Sequence, residues 1–234
     1  MAPMNAAQAL KKLDALGTAQ NRKIYARHGV RGECSGVSCA NLLKLAKEIA
    51  PDTELARALW ASGNHDARVL ATMIAEPEEL TAAELEAWAR ALDNYALTDA
   101  LAKLAARSPH ARKLFARWIA SKKEWIASAG WGVFSWMLHS GTEFPEDDLQ
   151  ELLDTIEKHI HTSANRVRYA MNGALIGIGV ASAPLRAETL ATARRIGPVE
   201  VDHGETGCKT PDAGAYIAKV VAHQKTKKKA RART

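Results

Sequence analysis

The chain has 234 residues, of which 47% are apolar, enough for one sizeable core without disulfides or metal to staple it. Its formal net charge of +6 equals the six cations Lys225, Lys227, Lys228, Lys229, Arg231 and Arg233, so the rest of the chain is formally neutral. Three cysteines, an odd number, argue against a disulfide framework, and no apolar run is long enough to span a bilayer. The N-terminal stretch also lacks the apolar core of a secretory signal, so a cytoplasmic protein is expected.

Ala6–Leu16 reads as a short amphipathic helix, and Thr18–Gly36 as a basic, glycine-bearing loop. Ser38–Ile49 is helical by the spacing of Leu42, Leu45, Ala46 and Ile49, and Pro51 opens a helix over Asp52–Trp60. A pattern then recurs. Helical segments begin at Asn64, Asn94, Glu124 and Asn165, separated by 30, 30 and 41 residues. Each follows another amphipathic helix: Glu54–Trp60, Ala82–Leu92, His110–Ala120 and Asp147–His161. Asn, Asp and Ser at the junctions are suited to N-cap positions. Arg186–Arg195 is a further helix, Gly197–Pro211 a loop, and Asp212–His223 the last helix. The domain is expected to span residues 1–223, with a disordered basic tail over 224–234.

Helix–turn–helix units at this period predict an all-α fold, an α-α superhelix of HEAT-like repeats; an irregular helical bundle is the alternative. In such a solenoid the second helix of each pair lines the concave face. His65, Arg68 and Thr72 share that face in one repeat, and Tyr95, Asp99 and Lys103 in the next. Trp125 and Ser128 follow, then Arg166, Arg168 and Asn172. Cations, aromatic rings and one acid on one face suit nucleic acid: cations neutralise phosphates, and rings stack on sugars or bases. The spacing alone equally allows Asp99 to pair with Lys103, and Tyr95 and Trp125 to pack on an adjacent helix.

The segments Leu59–Ile74, Trp88–Leu104, Trp118–Ala129 and Asn165–Gly179 resemble the AlkD-like DNA alkylation repair family over most of Ser38–Gly179. The resemblance implies a superhelix that cradles duplex DNA and excises N3- or N7-alkylated purines. It implies Asp99 as the catalytic carboxylate, four residues after Tyr95 where the family usually has Trp. Tyr95 and Trp125 would cup the lesion, and His65, Arg68, Lys103, Arg166, Arg168 and Asn172 would hold the DNA. Such a carboxylate stabilises the positive charge that develops on the sugar as the base departs. The sequence departs from the family at Ser128, where active members carry arginine, and around Tyr169–Gly173, where a further aromatic is usual. The resemblance implies no cofactor.

No metal is expected. Cys34, Cys39, His203 and Cys208 could form four ligands only if the ends met, and structural zinc favours tighter spacing. Cys208 with His203 lacks an orienting third group for a nucleophile. The expected partner is double-stranded DNA, bound by a monomer. A non-catalytic binder of damaged or branched DNA and a protein-binding scaffold remain the alternatives.

Overall fold

The computed structural model describes residues 4–49 and 51–231, with residues 228–231 given by their backbone alone. The described residues form thirteen α-helices and no strand. Helices α1 (Ala6–Leu16), α2 (Ala19–Arg27) and α3 (Cys39–Ile49) lead into five pairs. These are α4 (Thr53–Ala61) with α5 (His65–Ile74), α6 (Ala82–Arg90) with α7 (Tyr95–Ala105), and α8 (Ala111–Ile119) with α9 (Glu124–His139). The last two are α10 (Glu146–His159) with α11 (Asn165–Ala181), and α12 (Arg186–Ile196) with α13 (Ala213–Arg231). The second helices α5, α7, α9, α11 and α13 pack side by side in chain order, which makes one continuous inner layer. That is the stacking the repeat period predicts.

The junctions work as the sequence suggests in the first half. Asn64 and Asn94 accept from the backbone N–H groups of Ala67 and Leu97 at 3.1 and 3.0 Å, satisfying donors that a helix start leaves free. Asp52 caps α4, and Thr81 with Glu84 forms a reciprocal capping box on α6. In the second half α11 takes its cap from elsewhere. Asn165 is the first residue of α11, and its own side chain is committed to the chain at Asp202. The carboxylate of Glu124, at the start of α9, instead accepts from the Arg166 N–H at 2.7 Å, so one repeat caps the next.

The tryptophans hold the layers together. Trp60 and Trp88, on successive outer helices, stack with centroids 4.3 Å apart and planes 2° from parallel. Trp131, Phe134, Phe115 and Phe144 form a second cluster of edge and offset contacts. Helices α8 and α9 approach so closely at Gly130 that a Cβ there would lie 2.6 Å from the Ile119 nitrogen.

Two expectations are corrected. Thr18–Gly36 is not all loop, because Ala19–Arg27 is helical, capped by Thr18. No residue of α2 is buried, so it carries no apolar stripe for a sequence to display. It is held by polar reach instead: Arg22 donates to the Ser35 carbonyl at 2.9 Å, and the Tyr25 hydroxyl donates to the Val37 carbonyl. The last helix also passes the boundary expected at residue 224 and continues to Arg231. Lysine, alanine and arginine are good helix formers, and no Gly or Pro interrupts them. Residues 232–234 of the expected tail lie outside the described residues.

Candidate nucleic-acid interface

Three inner helices build the site. Asp99 projects from α7, Ser128, Gly132, Ser135, Trp136 and His139 from α9, and Tyr169, Ala170 and Gly173 from α11. Together they line an open pocket of about 310 Å³. Its floor is small: Gly132 lets α9 approach Ala102, and a Cβ added to Gly173 would meet nothing within 4 Å.

Asp99 is reached by solvent, yet protein surrounds it on most sides, as befits the floor of a concave surface. That low-dielectric surrounding disfavours the charge and pushes the carboxyl up to about 6, while the nearby Arg166 cation offsets part of the effect. It is not paired with Lys103, whose ammonium lies 4.9 Å from the centroid of the Trp136 ring.

Arg166 is the densest feature of the site. It is 9% exposed, and its guanidinium carbon sits 4.5 Å from the Tyr95 centroid and 4.6 Å from the Tyr169 centroid. Its Nε hydrogen-bonds to no described group, so the two ring faces supply its stabilisation. Each tyrosine is braced from a different end of the chain. The Tyr95 hydroxyl meets His28 Nδ1, from the C-cap of α2. The Tyr169 ring takes His203 edge-on at 5.5 Å. Burial pushes both tyrosine hydroxyls up, and burial followed by the Arg166 charge pushes His203 down. All three side chains are therefore neutral near pH 7.

The segments Thr18–Gly36 and Gly197–Pro211 thus converge on this cluster, through His28 and His203. The chain at 197–212 is pinned on α11: Asn165 exchanges two 2.7 Å bonds with the Asp202 backbone, and Asn172 donates to the Pro211 carbonyl at 3.0 Å. The segment at 33–37 is pinned on α5. Buried Asp66 accepts from the Gly36 and Val37 N–H groups at 2.9 Å and from the Cys34 thiol at 3.3 Å. Burial and the Asp66 charge push that thiol up to about 12.

Of the residues expected on the binding face, Asp99, Ser128 and Lys103 lie in or beside the pocket. Tyr95 and Arg166 adjoin it but are occupied with each other, so Tyr95 does not offer that face of its ring to a lesion. Ser128 is 5% exposed and donates to the Arg166 carbonyl at 3.3 Å. Trp125 is half-buried against the core, one turn before Ser128. Other expected contacts are engaged within the chain. His65 is buried under the Tyr25 ring, Arg68 donates to the Trp60 carbonyl and lies over its ring, and Asn172 is 1% exposed. The Arg168 Nε is buried without a partner among the described residues. Tyr169 and His28 also stand at the site, together with His203 and Trp136. No periodicity could single them out, because they meet only when α2, α7, α9, α11 and the chain at 197–212 are assembled.

Fold and site together define an α-α superhelix whose inner face carries one accessible acid beside a caged arginine. The chain belongs to the family of DNA alkylation repair enzymes, whose model matches residues 9–230. It is similar to the uncharacterized protein Lmo0209 of Listeria monocytogenes, 30% identical over 222 residues, covering 92% of this chain and 96% of that one. Lin0241 of Listeria innocua is 29% identical over 214 residues, covering 89% and 93%. A solved structure superposes with a TM-score of 0.85 at 30% identity, covering 94% of this chain and 95% of its own. That structure is described as a new family of proteins related to the HEAT-like repeat DNA glycosylases with affinity for branched DNA structures. Among the described residues no helix is long and apolar enough to cross a membrane.

Proposed function

We propose that this protein binds double-stranded DNA along its inner helices and excises N3- or N7-alkylated purines at the Asp99 pocket. The observation that carries this reading is an accessible carboxylate, raised toward neutrality by its surroundings and bonded to no described side chain. An alkylated purine is cationic and its departure leaves positive charge on the sugar. An unpartnered carboxylate held in a low-dielectric pocket stabilises such charge more in the transition state than in water. Arg166 is the cation whose charge reaches this carboxylate from between the two tyrosine rings.

The test is release of 7-methylguanine and 3-methyladenine from methylated duplex DNA by wild type and Asp99→Asn in parallel. Release that disappears in the variant supports excision. Absence of release from wild type overturns it.

A second reading, structure-specific binding without base release, is favoured by Ser128. Its hydroxyl is buried and engaged with the Arg166 carbonyl, so position 128 presents no cation to the pocket. The affinity of the structural relative for branched DNA points the same way. This reading expects tight, salt-sensitive binding to branched DNA that survives Asp99→Asn.

A further inference from the structure

One turn along α7 from Asp99, a second groove opens between α3, α5 and α7, with a volume of about 520 Å³. Its floor is apolar, with Leu43, Pro51 and Met73, and its rim carries Lys47, Lys103 and Arg107. No carboxylate lines it. Leu43 is 49% exposed, one of two large hydrophobic side chains left that open among the described residues. The three rim cations are exposed, and none is in an ion pair among the described residues. The groove adjoins the Asp99 pocket through one contact: its rim residue Lys103 lies over Trp136, which walls that pocket.

An apolar floor inside a ring of unpaired cations asks for a ligand that is itself flat and apolar at its centre and anionic at its edge. Linear duplex offers only the anionic part, because its base faces are stacked on one another. At a branch point the stack is broken. The last base pair turns an apolar face to water, with phosphates a few ångströms to either side. Apolar side chains that cover or enter such a step recover the burial that unstacking gives up.

We propose that the Leu43 groove is a branch-point site: Leu43 and Met73 cover the open face of the terminal base pair, while Lys47, Lys103 and Arg107 hold the flanking phosphates. This rests on the reading that the protein binds branched DNA. An acidic peptide with apolar side chains would satisfy the same chemistry, but the adjacency of the Asp99 pocket on the same inner helices favours the DNA.

The test is fluorescence anisotropy with a three-way junction and a linear duplex of matching sequence, plus 2-aminopurine placed at the branch point to report stacking. Wild type is expected to bind the junction more tightly and to change the 2-aminopurine signal. Leu43→Ser, at an exposed position that leaves the core intact, is expected to weaken junction binding by about tenfold with duplex binding unchanged. The double variant Lys47→Gln, Arg107→Gln is expected to lower both affinities and to reduce the slope of log K against log salt by about 2. Junction preference in wild type that persists in full in Leu43→Ser overturns the groove assignment alone. A wild type with no junction preference overturns the branched-DNA reading and this site with it.

Discussion

Asp99 is a cost that the fold carries. Its carboxyl stands at about 6 against an ordinary value of 3.8, chiefly because protein surrounds it. The folded protein therefore holds that proton more tightly than the unfolded chain does. The associated stability is fully present below about pH 4 and is given up as pH rises through 6. Asp99→Asn is thus expected to melt above wild type at pH 8, with the gap closing as pH falls to 4, which scanning calorimetry across that range would read. A charge whose removal stabilises the fold marks a group kept for work rather than for folding. The same titration sets the expected activity profile. Under the proposed excision, base release needs the ionised acid, so it is expected to rise with pH through about 6 and then level. Arg166 lowers the Asp99 value, so Arg166→Gln is expected to move the acid limb of that profile to higher pH. A profile that drops in height without moving would make Arg166 a purely structural cation.

At the scale of elements, most of the fold was legible because the inner and outer helices alternate apolar stripes with Asn and Asp starts. The α1 boundaries, Ala6–Leu16, match the reading from the sequence in full. What was not legible has one cause: support that arrives from distant residues leaves no local pattern. Helix α2 has no apolar face, and α11 takes its cap from Glu124, in the preceding pair. That cap gives a prediction. Glu124→Ala removes the acceptor for the Arg166 N–H and is expected to cost about 1 kcal/mol. For a chain of this size that is a fall of about 2–4 °C in melting temperature. Glu124→Gln keeps an acceptor and should recover much of it. Glycine shows the same contrast between packed and open positions. Gly130→Ala would drive a Cβ to 2.6 Å from the Ile119 nitrogen, so it should separate α8 from α9 and cost about 1–3 kcal/mol. At Gly173 the added methyl meets open space, so Gly173→Ala should raise stability by about 0.5–1 kcal/mol while narrowing the pocket. Equal melting shifts for the two variants, in thermal unfolding, would contradict this account of the packing.

At the scale of the whole molecule, the net charge and the candidate site are separated along the chain. The six cations after Gln224 account for the whole net charge, whereas the rest of the chain is neutral and must rely on where its charges sit. The site was only partly legible for this reason. Asp99 and Lys103 could be placed on one face by spacing, but the caging of Arg166 depends on rings from two repeats, with histidines from both ends behind them. Helix α13 reaches past the expected boundary, but its anchoring side chains come early: Ile217 is fully buried against Gly179 of α11, and Val221 packs on the core. A chain ending at Gln224 keeps both. It is expected to fold with an unchanged melting temperature, because the side chains that anchor α13 are kept. Its affinity for every DNA should fall together, and the salt slope should flatten by several units, since each cation that neutralises a phosphate contributes about 0.9. The ratio of affinities between junction and duplex, or between alkylated and plain DNA, should not change. A truncation that erases that ratio would place recognition in the cationic end and remove the reason for assigning it to the inner helices.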